Sequence, residues 1–535
     1  MRRLRVPIAV ACVLVVSGCT HGNRGAATPS AAPSSQPSAQ ARSGQPRTTL
    51  PADTTLVLGG GTAAEIALGT SRALYAESPS LVLVAADDTT SLGRGATTAV
   101  ELGVPLLLSP AGTVPSPAAA TPVPTTGASA GPTPAAVGAT PATTALRAEL
   151  SRLGAQTIVT VGSSATAWGH EWAGGPTVVP LDGAPVPPAV RPEPLTDLLV
   201  LALDRPVNAA AVATARASGA RVVLTAGPDP RTSDAVIKAL AGQPTGHILA
   251  IDSTFGPAPR LRSRVETAAT GAVLPGGGQV VFPGRRLVAL YGHPGNALLG
   301  SLGEQSMTAS IARAKQVAGV YQSLVKEPVA PTFEIIATIA SRGAGADGNY
   351  SSESPVSLLR PWLDAARNAG IYVILDLQPG RTDFLTQAKL YSSLLMYPNV
   401  GLALDPEWRL KPDQVHLVQT GSVSADEINQ TASWLAEFTR EHKLPQKVLM
   451  VHQFRLDMVT GRSGLRTDFD ELSVVIHADG FGSAGQKFNT WRGLRSGAPA
   501  GVFWGWKNFY DEDKPTFTPN QTVAISPSPL VITYQ

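Results

Sequence analysis

Cysteine is almost absent, with two residues in 535, Cys12 and Cys19. Both precede the first stretch able to fold, so the folded part has no disulfide, no thiolate metal site and no cysteine nucleophile, and must be held by packing. Charge is sparse and nearly balanced, at 15% of residues and a net +3. Lys and Arg are scattered, and part of their excess sits in the first five residues, so the chain carries no nucleic-acid footprint. Long apolar runs are also lacking. The one near the amino terminus, Val6–Val16, is too short to span a bilayer. Aromatic residues make up only 5%, but nearly all Tyr and most Trp and Phe lie beyond Arg285.

What is present begins with a basic segment, MRRLR, ahead of that apolar run, the pattern of a signal peptide. Val16-Ser17-Gly18-Cys19 follows and resembles the lipobox of bacterial lipoproteins. The resemblance implies export, cleavage before Cys19, lipidation of its thiol and anchoring to the outer face of the cell membrane. Residues 20–51 are rich in Ser, Pro, Gln, Ala and Gly, with too little apolar surface to offset ordering entropy, and are expected to be a disordered tether.

The segment 52–284 alternates short apolar runs with helical stretches: Leu56–Gly61, Ser80–Ala86, Val104–Pro110 and Thr157–Ala165 are read as strands. Runs bounded by Gly and Pro with helices between them predict an α/β domain with a doubly wound parallel sheet. A run of Pro, Ala, Thr and Gly over 111–144 is expected to be a disordered insertion. Gly59 to Ala64 fits G-x-G-x-x-A, and Asp87 ends the next strand, the outline of a dinucleotide fingerprint. An exported protein meets little NAD, so the reading kept is a tight strand-to-helix turn, with an anion on the helix amides still open. No cofactor is expected.

The order of these elements resembles the cell wall-binding repeat 2 family. The matching residues are Thr62-Ala63-Ala64, Gly103 to Leu108, and Leu153-Gly154 with Val159 to Gly162; the family's Asp-Ala-Leu signature is absent. A more divergent repeat runs from Thr196 to Gly256. The resemblance implies non-covalent attachment to an anionic wall polymer.

After a Gly-rich junction, Pro275 to Gly284, strands and helices alternate through 285–535: Leu287–His293, Phe333–Ala340, Ile371–Gln378, Val400–Glu407, Lys447–Phe454, Leu472–Asp479, Ala500–Trp506 and Leu530–Tyr534. About 250 residues with this rhythm predict a carboxy-terminal (β/α)8 barrel. The strands are apolar and turn polar at their carboxyl ends: His293, Asp376 with Gln378, Asp405 with Glu407, His452 with Gln453, His477 with Asp479, and Trp504 or Trp506. Barrel strands converge there on one face, where barrel enzymes keep their sites, and titratable groups gathered in one bowl shift one another's proton affinity.

The central stretch is Val400 to Trp408, VGLALDPEW. In an extended strand residues i and i+2 share a face, so Asp405 and Glu407 would project together with α-carbons roughly 6–7 Å apart. Asp-Pro is also ordinary turn chemistry. The D-x-E at the end of a central strand is similar to barrel glycosidases such as family 25 lysozymes and chitinases, although the run of aspartates that precedes it in chitinases is missing. That likeness implies Glu407 as general acid and Asp405 as its partner, with Asp376 raising the proton affinity of Glu407. His293, Gln378, Trp408, His452, Gln453, His477 and Asp479 would contact substrate, and Trp504 and Trp506 would be sugar platforms or core. Two alternatives stay open: a non-catalytic carbohydrate-binding scaffold, and a divalent metal held by His293, His452, His477 and Asp479, against which stands the lack of two His on one strand. No metal is expected, and no signal of oligomeric state is read.

Overall fold

The computed structural model describes residues 44–111 and 140–535, apart from positions 60, 173, 184, 186, 187, 189 and 245. The expected signal peptide, Cys19 and most of the expected tether and insertion lie outside the described residues. Two edges of those segments fall inside them and correct the expected limits. Arg47–Thr48 pairs antiparallel with Tyr75–Glu77, and Arg47 is ion-paired to Glu77 at 2.5 Å, so chain read as tether is part of the fold. The helix Pro141–Leu153 begins inside the stretch read as insertion, where Thr140 accepts the Thr143 amide and Pro141 occupies the first turn.

The amino-terminal domain holds two four-stranded parallel sheets. One runs in the order Leu106–Ser109, Ser80–Ala85, Thr157–Val161, Thr177–Pro180; the other runs Thr55–Leu58, His247–Ile251, Leu198–Leu203, Arg221–Thr225. The first parallel strand of the chain therefore joins the second sheet and not the one its neighbours build. One apolar core explains how both sheets hold together. Leu68 and Leu74 of the helix Ala63–Leu74 pack in it with Leu81 and Leu83 of one sheet and Leu198, Val200 and Leu249 of the other. The helix Ala209–Ala217 is mostly alanine and buried almost all round. Its Thr214 hydroxyl accepts the Leu106 amide at 3.0 Å, satisfying a backbone donor of an edge strand.

The carboxy-terminal half is a closed barrel of eight parallel strands: β1 (Arg286–Gly292), β2 (Val329–Ala340), β3 (Tyr372–Leu377), β4 (Val400–Leu404), β5 (Lys447–Gln453), β6 (Leu472–Ala478), β7 (Phe503–Asn508) and β8 (Val531–Tyr534). β8 pairs back onto β1, with Leu287 opposite Val531, and closes the cylinder. Apolar residues on both faces follow from this position, since one face fills the interior and the other meets helices. Alternation sorts them. Leu287, Ala330, Tyr372, Ile374, Ala403, Val448, Met450, Val475 and Val531 pack together inside, while Val288, Phe333, Val373, Leu375, Leu402, Leu449 and Ile532 pack outward with helix residues such as Leu363, Leu435 and Tyr321.

The amino-terminal domain grips the base of this barrel. Asp470, two residues before β6, accepts from Arg231 at 3.0 Å and sits against Arg264 at 2.5 Å, and Gln446, just before β5, donates its amide to Gln279 at 2.8 Å. The carboxyl ends of the strands open on the opposite face.

Candidate active site

Period-two alternation decides which polar side chains enter the barrel. Continuing the inward positions of each strand by twos gives Tyr291 on β1, Glu334 on β2, Asp376 on β3, Asp405 just past β4, His452 on β5, His477 on β6, Lys507 on β7 and Thr533 on β8. All eight are buried. Gly505 also falls on this face of β7, and a β-carbon there would run into the His477 ring, so the small residue makes room for the histidine.

His452 is the hub. Its Nδ1 lies 2.9 Å from Asp479 Oδ2 and its Nε2 2.7 Å from Glu334 Oε1, with Asp376 Oδ1 3.8 Å away. Burial works against a charged imidazole here, but the Glu334 and Asp479 carboxylates win and hold its pKa well above the ordinary value. Lys507 supplies a second cation, 3.1 Å from Asp479 Oδ1 and 3.9 Å above the Tyr291 ring. Burial alone would raise Asp479; the Lys507 charge and the His452 hydrogen bond hold it well below the usual carboxylate range. His477 is pushed well down by burial and by the His452 charge beside it, and its Nε2 meets the Thr533 hydroxyl at 3.2 Å. Tyr291 donates its hydroxyl to Asp376 Oδ2 at 3.1 Å and accepts from Gln378 at 3.1 Å.

Three carboxyls are driven the other way. Burial, reinforced by the Glu334 charge, pushes Asp376 up to about 7; burial and then the Asp479 charge push Glu407 up to about 7; burial holds Asp405 well above its ordinary range. One cavity of about 680 Å³ receives Tyr291, Gln378, Asp405, Glu407, Trp408, Asp479 and Lys507 in its lining. The extended geometry expected for Asp405 and Glu407 is not adopted. β4 ends at Leu404, Pro406–Trp408 forms a single 3₁₀ turn, and Asp405 caps it by accepting the Glu407 amide at 3.2 Å. Pro406 cannot extend the ladder, so turn chemistry wins, yet both carboxyls still face the same space.

Other expected contacts lie elsewhere. Gly292 at φ +145 turns the chain away after β1, and His293 ends 3.0 Å from the Ser354 hydroxyl, outside the cavity lining. Gln453 has outward parity and donates to the Arg455 and Leu456 carbonyls, fixing its loop. Trp504 and Trp506 also point outward. They pack with Trp491, Ile476 and Phe517 between barrel and helix, so of their two expected roles the core one holds. His452, Asp376 and His477 lie beneath the cavity and not on its wall. Glu334, Lys507 and Tyr291 were not anticipated.

Among the described residues, two groups place ligand atoms within 4.8 Å of one another, His452 with His477 and Asp479, and Glu334 with Asp376 and His452. Both contain His452, whose nitrogens each face a carboxylate; an imidazolium so held has no lone pair for a metal. His293 joins neither group. Compared with known proteins, the chain matches no family model, and no curated protein matches it.

Proposed function

We propose that the barrel hydrolyses a glycan, and that the protein does so while lipid-anchored at Cys19 and held against cell-wall polymer by its amino-terminal domain. What supports the enzymatic reading is a pair of carboxyls lining one cavity whose surroundings drive their proton affinities in opposite directions. Glycoside hydrolysis needs one carboxylic acid to protonate the departing oxygen and one carboxylate facing the cation that develops at the sugar. Glu407, raised by burial and by Asp479, serves as the acid. Asp479, kept ionised by Lys507 and His452, is the carboxylate. Asp405 is too strongly raised to be the ionised member, and it holds the Glu407 turn instead. Trp408 and Gln378 line the same cavity and give a sugar ring an apolar face and a hydrogen-bonding partner.

The anchor and the wall contact rest on the lipobox pattern and on the repeat-like motifs of the sequence, and the paired parallel sheets are compatible with the latter. Among the described residues no helix is long and apolar enough to cross a membrane.

A second reading, a non-catalytic carbohydrate-binding module, is favoured by one observation: both oxygens of Asp479 are already engaged, by His452 and Lys507. The two readings separate when soluble protein from Thr20 onward, wild type beside Glu407→Gln, is incubated with purified cell wall and a panel of polysaccharides. Release of new reducing ends by wild type alone, with both proteins sedimenting with wall, supports the enzyme. Equal sedimentation with no release from any substrate supports the module.

A further inference from the structure

The cavity holds more apolar surface than a sugar ring can use. Leu298 and Leu299 on the β1 loop, Phe454 after β5, Phe481 after β6 and Phe509 after β7 all line it. Leu298 is 94% exposed and Phe481 63%. Large apolar side chains left in water at the rim of a cavity mark a surface that something covers.

The shape of this surface tells what covers it. A pyranose packs its flat apolar face on a parallel aromatic ring. Leu298, Leu299 and Ile339 offer no such plane, and Phe481 meets Phe509 edge-on, centroids 5.8 Å apart at 69°, so their rings are turned to one another. Trp408, next to Glu407, is the side chain suited to a sugar. Leu298 and Leu299 come from β1, three strands around the barrel from the β4 loop that carries Glu407 and Trp408. The aliphatic part of the lining, Leu298 and Leu299, thus lies away from the turn that carries Glu407 and Trp408.

We propose that the glycoside taken here carries an apolar aglycone, an alkyl or aryl group, that rests on Leu298, Leu299 and Phe481. The inference relies on the glycosidase reading for the bond that is cut, but the apolar wall acts in binding alone and is testable without turnover.

The test is calorimetric titration of the chain from Thr20 onward, which contains every described residue, with octyl glucoside below its micelle-forming concentration and with methyl glucoside, and the same pair of N-acetylglucosaminides. Each buried methylene is worth about fourfold in Kd, so with roughly three or four of the seven additional methylenes buried on this open rim the octyl compounds should bind on the order of 100-fold tighter than the methyl ones. The double variant Leu298→Ser with Phe481→Ser, altered only at exposed positions, should lose about tenfold of that gain and leave methyl glycoside binding unchanged. Equal affinity for octyl and methyl compounds would overturn the proposal, as would octyl binding that the double variant retains in full. Glu407→Gln should keep the octyl preference. If it does while no glycan is cleaved by wild type, the glycosidase reading fails and the apolar subsite stands.

Discussion

Glu334 and His452, carried by β2 and β5, meet at 2.7 Å across the barrel interior. With Asp479 on the other nitrogen, the imidazole is held as a cation. His452 and Lys507 are thus buried cations beside Glu334 and Asp479, while burial holds Asp376 and Asp405 above the usual carboxylate range. Removing one member of such a buried ionic cluster leaves its partner uncompensated.

Replacing Glu334 with Gln removes one of the two charges that stabilise the imidazolium. The wild-type imidazole is expected to keep both protons well above the ordinary histidine range, and the variant to lose one at a lower pH than wild type, followed by nitrogen-15 shifts of the labelled ring. An unchanged ring titration would show that Asp479 alone sets its state.

Lys507→Met leaves Asp479 buried with one cation in place of two. The expected loss is about 3–5 kcal/mol in urea unfolding, the cost of breaking a buried pair from one side. Stability equal to wild type would mean that the pair is solvated.

Glu407 and Asp376 both have pKa values raised to about 7 in the fold, from ordinary values of 4.5 and 3.8. Between those values the folded state binds more protons than the unfolded one, so stability falls as pH rises from about 4.5 to 7. Glu407 alone contributes up to about 3 kcal/mol of that fall. Asp479 acts with the opposite sign, since its lowered pKa adds stability that is lost only in acid. Unfolding midpoints at pH 5 and pH 7.5 should therefore differ, and Glu407→Gln should shrink the difference. A wild-type midpoint that rises over this interval would contradict the assignment.

The barrel was legible because each strand is an uninterrupted apolar run closed by polar residues, and such runs have few other uses at this spacing. The cluster was half legible. Reading only strand ends found Asp376, His452, His477 and Asp479 but passed over Glu334, which sits inside the run Phe333–Ala340, and Lys507, one residue beyond the Trp506 at which the strand was stopped. Alternation carries the missing information. Tyr372, Ile374 and Asp376 share a face, as do Phe503, Gly505 and Lys507, so Trp504 and Trp506 must point the other way. The cross-barrel contact between Glu334 and His452 depends on closure and register, which no local pattern contains. Pro406 gave fair warning that the strand would not continue to Glu407.

Trp506→Ala should cost about 3–5 kcal/mol in unfolding, since its ring is buried among Trp491, Phe488 and Phe517. Trp408→Ala should leave unfolding nearly unchanged and weaken sugar binding by up to about tenfold. The reverse pattern would restore Trp506 as a platform.

The glycosidase reading needs one cavity to hold Glu407 as the acid and Asp479 as the carboxylate. Infrared difference spectra of wild type against Glu407→Gln and against Asp479→Asn, recorded across pH 4 to 9, measure both states directly. The Glu407 substitution should remove a protonated-carboxyl band that persists at pH 6 and titrates near 7, while the Asp479 substitution should remove a carboxylate band already present at pH 4. A Glu407 carboxyl that ionises near its ordinary value of 4.5 would contradict that reading.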